Sequence, residues 1–543
     1  MTNNTFRQFI EKPRNLLIAD VLLALPFLVL PLLISLPYRV NIFLSWEGAY
    51  RLYIGQSAFT DFGLPMGFGY WIIPTLFFKL FGPTFMSLLY AQFFINLIGW
   101  AALRGILYNL KVKPLAITLT LVVYSLTYVV YNFWPWYNHC VVIYELIALY
   151  FVTGYSLSSK KWWYYGQLVL AGFFSFLTFY TKQDVGGMGF MICGFLLAYM
   201  GWLDKTIKPV LAYVAVFFVT ALIFILPVAD NGFFYWFNYG QPPHNSRVTL
   251  GQLLDVMFET RILEKVYVLL ILIGVLFRVS SLKSFINDRN LFVSVVICCA
   301  MILQSLVTRV SSPQPTDHMN YFHIFGFVGA IMFLPWEKWD LKPVNVLLSL
   351  IFVAVVFSAG YWKYISNVFH VKGGPTAAAV AGQVTKPWVK SNLRTMKHVL
   401  VPEGTNEGVK RIMELPFAKD PNLKVLNLSE LTFLAYEMGY TPMTDQPLWY
   451  HLNIGMFQKE VDVFKQRIKE GYYDLVLFED VPDLDNFYPY EVRDELKKDY
   501  FFYDNFIAPR KLENSTIDVY VKPELATRYG LTPVSGPTTL VRE

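Results

Sequence analysis

Two carboxylic acids, Glu47 and Asp61, lie in a segment rich in aromatic residues, glycine and proline, residues 37–83. They belong to the stretches SWEGAYRLYIGQ (45–56) and TDFGLPMGFGYWIIPTLFFKLFG (60–82). A carboxylate held where water meets a bilayer can accept a proton from a hydroxyl group, a task worth about 10²–10⁴-fold in rate. Partial burial beside Trp46 and Tyr50 would raise the pKa of Glu47 and make it a stronger base. The alternative is that both acids are ordinary solvated side chains.

Apolar runs of membrane-spanning length surround this segment. Only 15% of the 543 residues are charged and 55% are hydrophobic, whereas about a quarter of the residues in a soluble protein are charged. The apolar runs are close to the ~20 residues that cross a bilayer as a helix. We predict about eleven transmembrane helices, near residues 16–36, 84–103, 114–131, 139–158, 163–180, 187–203, 208–227, 265–281, 290–307, 322–336 and 343–362.

The loops between these predicted helices carry an uneven distribution of positive charge. Six short segments, beginning with the N-terminus, hold fifteen lysines and arginines, and the alternate loops, longer in total, hold eight. Because positive loops stay in the cytoplasm, the N-terminus is predicted inside and residues 37–83 outside. An odd number of spans then places the C-terminal tail outside as well. The net charge of +6 reflects these orientation signals and does not indicate nucleic-acid binding.

The four cysteines give no sign of a covalent or metal framework. Cys140, Cys193, Cys298 and Cys299 fall within or at the edge of apolar runs. Their positions exclude a disulfide framework and a CxxC metal site.

The sequence changes character beyond about residue 372. Three short apolar runs have the length of β-strands, and a stretch with apolar residues at helical spacing precedes the second of them. The strands are predicted at 423–428, 473–478 and 517–521, and the helix at 456–470. We therefore predict a transmembrane core at 1–370 and a small soluble α/β domain at 371–543. The domain contains no nucleotide-binding motif, and we interpret it as a lid or docking surface for the acceptor.

The first outer segment resembles that of the GT-C membrane glycosyltransferases. The resemblance rests on the W-E-G-A-Y context of Glu47 and on the D-F…P…F-G stretch that follows it. The most similar branch is the bacterial protein-mannosyltransferase and aminoarabinose-transferase-like group. It implies a polyprenyl-phosphate-linked sugar donor, a multi-span core with its active site on the outer face, and a soluble C-terminal domain. Trp46 stands where these enzymes usually carry an acid beside the glutamate, which leaves the need for a divalent cation open.

FLTFYTKQDVGG (176–187) is similar to a segment that these transferases place between two spans. The resemblance implies that Lys182 contacts the donor phosphate, an anionic partner of the kind that a lysine at membrane depth requires. Alternatively, Lys182 pairs with Asp184 or extends to the lipid headgroups.

PTDHMNYFHIFGF (315–327) is similar to a late outer segment of the same family. Asp317, His318 and His323 are candidates for acceptor or phosphate contact, with Arg309 as a cation for the donor phosphate. The same acid and two histidines could bind a metal ion, although their spacing is not that of a zinc motif. The remaining alternative is structural polar packing.

Further candidates come from other outer segments. Asn138 and His139 in WPWYNHC lie where relatives often have a second acid, and Arg247 lies in the long loop 228–264. These three residues are predicted to contact the acceptor or substrate. Arg51, four residues after Glu47, is a further candidate for the donor phosphate.

Together, these features predict a glycosyltransferase of the bacterial cytoplasmic membrane with a polyprenyl-phosphate sugar as donor. The acceptor would be a hydroxyl group of a glycan, lipid or protein, with Glu47 and Asp61 as candidate catalytic acids. A transporter or flippase of lipid-linked glycans is the alternative from another class, but it would show internal repeats that we do not find. A polymerase or ligase of such glycans shares the donor and is also left open.

Overall fold

The structure is a computed structural model, and it describes residues 11–38, 42–129, 133–157, 163–237, 249–259, 263–311, 323–334, 342–358, 388–397, 399–452, 455–481, 488–509 and 515–534. It divides into two compact units. The first unit comprises Met1–Leu30, Gln92–Pro227 and Pro243–Gly374. The second comprises Pro31–Ala91, Val228–Pro242 and Pro375–Glu543.

The described residues up to position 358 are mostly helical. The helices are α1 (Pro13–Leu33), α2 (Ile42–Tyr53), α3 (Ile72–Phe81), α4 (Phe85–Asn109), α5 (Pro114–Thr127), α6 (Tyr137–Leu157), α7 (Tyr164–Thr181), α8 (Gln183–Leu203), α9 (Lys208–Ile225), α10 (Phe233–Trp236), α11 (Leu250–Phe258), α12 (Leu263–Arg278), α13 (Leu282–Asn287), α14 (Arg289–Ser311), α15 (His323–Ile331) and α16 (Pro343–Phe357). Among the residues described, five helices are long and apolar enough to cross a membrane, namely Arg14–Leu33, Phe85–Asn109, Gln183–Leu203, Lys208–Asn231 and Arg289–Ser311.

The C-terminal region alternates strands and helices. Its elements are β3 (Trp388–Lys390), β4 (Val399–Pro402), α17 (Glu403–Met413), β5 (Val425–Leu428), α18 (Leu434–Met438), β6 (Gln446–Pro447), α19 (Gln458–Lys469), β7 (Leu475–Asp480), α20 (Tyr490–Asp499), β8 (Phe501–Ile507), β9 (Thr516–Val521) and α21 (Pro523–Tyr529). Two further short strands, β1 (Leu36–Pro37) and β2 (Phe62–Gly63), lie near the N-terminus.

The first unit is built from the long apolar helices. Within it, α7 packs against α6, α8 and α9, and α14 packs against α8 and α15. Prolines lie in the first turn of α5, α9 and α16, where the N–H that proline lacks would have no partner within the helix. A buried acid of α1, Asp20, accepts hydrogen bonds from Arg104 at 2.9 Å and from Thr118 at 2.5 Å. A charge at membrane depth requires partners of this kind.

The second unit has a four-stranded sheet in the order β5-β7-β9-β8. The β5–β7 pair is parallel, and β9 is antiparallel to both of its neighbours. Helices α19 and α20 pack against each other, and their apolar side chains share one core with the sheet. This core includes Leu428, Val461, Phe464, Phe478 and Leu496.

The N-terminal segment of the second unit is hydrogen-bonded to the C-terminal region. Strand β1 pairs in parallel with β4, and β2 pairs in parallel with β6. Tyr38 adds a main-chain bond to Leu400 at 2.9 Å and a side-chain bond to the carbonyl of Glu430 at 3.1 Å. Residues 36–63 and the C-terminal region therefore belong to one folded unit, whereas the sequence suggested two separate parts.

The predicted fold class, a helical membrane core with a small C-terminal α/β region, is confirmed. Each predicted span coincides with an observed helix, within a few residues at most ends. The predicted strands and the helix of the tail are present at 425–428, 475–480, 516–521 and 458–469. The number of eleven spans and the domain boundary at residue 370 stay predictions.

Gly48 in α2 offers a test of this packing, since a Cβ at this position would lie 1.9 Å from the ring of Trp71. We expect Gly48→Ala to lower the thermal unfolding midpoint of the purified protein, because overpacking a rigid site costs about 1–3 kcal/mol. Gly404→Ala is the matched control in α17, where the nearest atoms are at 3.7 Å. Equal midpoints for the two variants would contradict the packing described.

Candidate active site

Helix α2 holds the predicted acid Glu47 in a fixed orientation. Trp46 stacks on Tyr50 with ring centroids 4.7 Å apart. On the neighbouring face, Trp71 lies against Gly48 and donates a hydrogen bond to the carbonyl of Leu44 at 3.0 Å. With these aromatic contacts Glu47 is only 6% exposed, and its catalytic role stays a prediction.

Arg51 anchors one oxygen of this carboxylate. Its Nε and Nη2 donate to Glu47 Oε1 at 2.9 and 2.7 Å. Its Nη1 donates to the side-chain oxygen of Gln56 at 3.0 Å and to the carbonyl of Met443 at 2.7 Å. The guanidinium is 1% exposed and also lies over the ring of Phe62. All these contacts are internal to the second unit and provide no support for a phosphate-binding role of Arg51, which stays a prediction.

The second carboxylate oxygen, Glu47 Oε2, is buried and has no hydrogen-bond partner among the described residues. Glu47 and Arg51 line a small cavity together with side chains of the tail, which we name the Glu47 pocket. Its other lining residues are Val425, Asn427, Thr432, Ala435, Tyr440, Pro442, Met443, Gln446 and Tyr450. A buried oxygen without a donor costs free energy, and this cost is relieved when a ligand supplies a hydroxyl group.

The surroundings of Glu47 in the pocket raise its affinity for a proton. Burial raises the pKa of Glu47 above its ordinary value of 4.5, and the nearby Arg51 opposes this shift. Burial also raises the pKa of Tyr440 and of Tyr450, so both phenols stay protonated. The pocket thus combines an acceptor oxygen with groups that can donate hydrogen bonds to a ligand.

Asp61, the other predicted catalytic acid, is hydrogen-bonded to main-chain groups. Its Oδ2 accepts a bond from the main-chain N–H of Ser57 at 2.7 Å, and its carbonyl accepts one from Asp445 at 2.8 Å. Asp61 does not line the Glu47 pocket. A catalytic role for Asp61 stays a prediction that these contacts do not support.

Lys182 lies in the first unit, at a sharp corner between α7 and α8. Its backbone is extended (φ −154°, ψ 122°) between two helical residues. A Cβ at Gly186 would lie 2.2 Å from the backbone of Phe179, so only glycine allows this close approach. Lys182 forms an ion pair with Asp184 at 3.2 Å and approaches Ser311 Oγ at 3.5 Å. The pairing with Asp184 is one of the two alternatives that the sequence left open.

Arg309 lies on the last turn of α14, and its guanidinium pairs with Glu259 at 2.8 Å. Ser311, which Lys182 approaches, ends the same helix. His323 begins α15 and contacts the ring of Tyr267.

Three predicted contact residues, Asp317, His318 and Arg247, lie outside the described residues. Across the parts of the chain that the structure describes, no three histidine, cysteine or acidic side chains are grouped as a metal site would require. The placement of the predicted acid-and-histidine cluster is therefore not described.

Asn138 and His139 are buried in the first turn of α6. The carbonyl of His139 accepts a bond from the hydroxyl of Tyr128 at 2.8 Å. Two turns further along the same helix is Glu145, which our sequence analysis did not select. It is 1% exposed and accepts a bond from Gln304 at 2.9 Å. The signal that could have identified Glu145 is a carboxylate within a predicted membrane span.

Comparisons with known proteins identify the fold. No protein-family model matches the chain, and no curated protein matches its sequence. Among solved structures, ArnT from Cupriavidus metallidurans in the apo state matches with a TM-score of 0.56 and 11% identity, over 94% of this chain and 98% of that chain. ArnT from the same organism bound to undecaprenyl phosphate matches with a TM-score of 0.50 and 13% identity, over 92% and 97%. The chain therefore has the GT-C membrane fold that the sequence predicted.

The buried ion pair can be tested by a mutant cycle. We expect Arg51→Met to destabilise the protein by about 3–5 kcal/mol, because it leaves the Glu47 carboxylate buried without a counter-charge. The double variant Glu47→Gln/Arg51→Met should be less destabilised, since it removes that charge as well. Chemical denaturation of the full-length protein in detergent measures the difference. Equal losses in the single and double variants would contradict the description of a buried charge pair.

Proposed function

We propose that this protein, which has the GT-C fold, is a membrane glycosyltransferase that uses a polyprenyl-phosphate-linked sugar. It would transfer the sugar to a hydroxyl group of an acceptor on the outer face of the cytoplasmic membrane. The observation that carries the proposal is the geometry of Glu47: Arg51 fixes Oε1, and Oε2 is buried and unpaired in a pocket. The fold adds support, because ArnT has been solved with undecaprenyl phosphate bound.

In the proposed reaction, Glu47 Oε2 accepts the proton of the acceptor hydroxyl group. The acceptor oxygen then attacks the anomeric carbon of the sugar, and the bond from that carbon to the phosphate oxygen breaks. Polyprenyl phosphate leaves with the electron pair, and the anomeric centre is inverted. Contact of Lys182 and Arg309 with the donor phosphate stays a prediction from the sequence. The sugar type, hexose or pentose, and the acceptor are not assigned.

The second unit supports an outer location of both the active-site segment and the tail. Strands β1 and β2 pair with strands of the tail, and Tyr235 donates to Glu460 at 2.6 Å. Segments that are hydrogen-bonded to one another must lie on the same side of the membrane. An even number of membrane spans must therefore separate each of these three segments from the next one along the chain. The predicted spans satisfy this: six lie between residue 83 and residue 228, and four follow. Charge asymmetry in the loops then assigns that side to the outside.

The first test replaces the proposed base. We expect Glu47→Gln to lower sugar transfer by about 10²–10⁴-fold, because the amide cannot accept the proton. The assay is mass spectrometry of envelope glycans from a deletion strain that carries the variant. Glu414→Gln, at an exposed acid directly after α17 in the same unit, is the matched control. Normal glycans with Glu47→Gln at normal expression would refute the role of Glu47.

The pH dependence supplies a second test. Glu47 acts as a base only when it is deprotonated, and burial raises its pKa above 4.5. The transfer rate of the purified enzyme should therefore fall on acidification, with a midpoint above pH 4.5. A pH–rate profile measures this midpoint. A midpoint at or below 4.5 would show that the titrating group is not a buried Glu47.

A further inference from the structure

A second cavity of the same unit opens beside the Glu47 pocket. It has a volume of about 250 Å³ and is partly open to solvent, and we name it the outer cleft. Three parts of the chain form it: the segment after α2, the segment that contains α10, and the tail around β6 and α19. Its principal side chains are Tyr235, Trp236, Asp445, Gln446, Lys459 and Glu460.

Rigid aromatic side chains form one wall of the outer cleft. The ring of Trp236 packs on the backbone of Gly63, where an added Cβ would lie 2.0 Å away. The hydroxyl of Tyr235 donates to Glu460 Oε1 at 2.6 Å, and Lys459 lies 5.2 Å from the Tyr235 ring centroid. Aromatic faces that are held in place before a ligand arrives lose little entropy on binding.

Gln446 connects the outer cleft with the Glu47 pocket, because it lines both cavities. The residue is 3% exposed, and its Oε1 is buried without a hydrogen-bond partner in the described parts of the chain. Such an oxygen is satisfied when a ligand donates a hydroxyl or N–H hydrogen. The outer cleft and the pocket of the candidate base therefore share the side chain of Gln446.

The charges at the cleft narrow the class of ligand. Asp445 and Glu460 outnumber Lys459, so an anionic ligand is disfavoured.

The backbone at the cleft is strained at two positions. Phe59 and Asp445 both line the cleft and have left-handed backbone conformations, with φ of 68° and 57°. Non-glycine residues keep this strained conformation where the surroundings enforce it, often at binding sites.

We propose that the outer cleft binds an uncharged saccharide unit of the acceptor. The C–H face of the sugar would stack on Trp236 and Tyr235, and its hydroxyl groups would bond to Asp445, Glu460 and Gln446 Oε1. The inference rests on the proposed function and adds the chemical class of the acceptor. The cleft orients the acceptor, and Glu47 carries out the proton transfer.

The experiment measures direct binding of tetrasaccharides to the full-length protein in lipid nanodiscs by titration calorimetry. The probes are maltotetraose, tetra-N-acetylchitotetraose and the anionic tetragalacturonic acid. Val463→Trp fills the cleft, which Val463 lines at 37% exposure. Val534→Trp is the matched control, because Val534 is 48% exposed in the same unit and does not line the cleft.

We expect at least one uncharged tetrasaccharide to bind the wild-type protein and the anionic one not to bind. Val463→Trp should weaken this binding by roughly tenfold or more, whereas Val534→Trp should change it by less than about twofold. Gln446→Met, which removes the unpaired oxygen at similar size, should also weaken binding. Absence of binding by both uncharged probes, equal binding by the two tryptophan variants, or preference for the anionic probe would overturn the proposal.

Measuring saccharide binding and sugar transfer separately distinguishes a failure of this inference from a failure of the proposed function. Glu47→Gln should bind the saccharide normally and fail to transfer sugar. Loss of transfer in Glu47→Gln without saccharide binding to the wild type would refute the cleft proposal alone. Normal transfer in Glu47→Gln, with saccharide bound in the cleft, would refute the catalytic role alone.

Discussion

The arrangement of the second unit depends on the buried guanidinium of Arg51. It neutralises Glu47 from one side and donates a 2.7 Å bond to the carbonyl of Met443, 392 residues away. A charge that is removed from water must have its hydrogen bonds satisfied, so Arg51 fixes the distance between α2 and the tail. Both bonds to the carboxylate go to Oε1, and Oε2 is without a hydrogen-bond partner among the described residues. The same side chain thus holds the fold together and defines the site.

The C-terminal tail contributes directly to the wall of the Glu47 pocket. From the sequence, it was interpreted as a lid or docking surface separate from the first outer segment. The structure instead shows tail residues forming most of the wall of the Glu47 pocket, including Tyr440 and Tyr450. The proposed base has surroundings from two distant parts of the chain, so its pocket requires the tail to be folded. The proposed acceptor site in the outer cleft is likewise lined by tail residues, and Gln446 belongs to both cavities.

Much of the fold could be predicted because its determinants are local. Apolar runs fix the helices within a few residues, and β5, β7 and β9 follow from short apolar runs. The two-residue pairings β1–β4 and β2–β6 could not be predicted, since each strand is too short to show a pattern. Glu47 could be selected from its aromatic context, and the spacing to Arg51 permits an ion pair on one helix face. Met443 and Pro442, which also line the Glu47 pocket, come close to these residues only in the folded chain, so the sequence alone does not identify them.

We propose that Glu47 Oε2 meets the acceptor hydroxyl group beside the sugar to be transferred. An experimental structure of the Glu47→Gln variant with a polyprenyl-phosphate sugar and an acceptor trapped together tests this most directly. We expect the acceptor hydroxyl within hydrogen-bond distance of the side chain at position 47 and next to the anomeric carbon. Density that places both substrates away from the Glu47 pocket would contradict it.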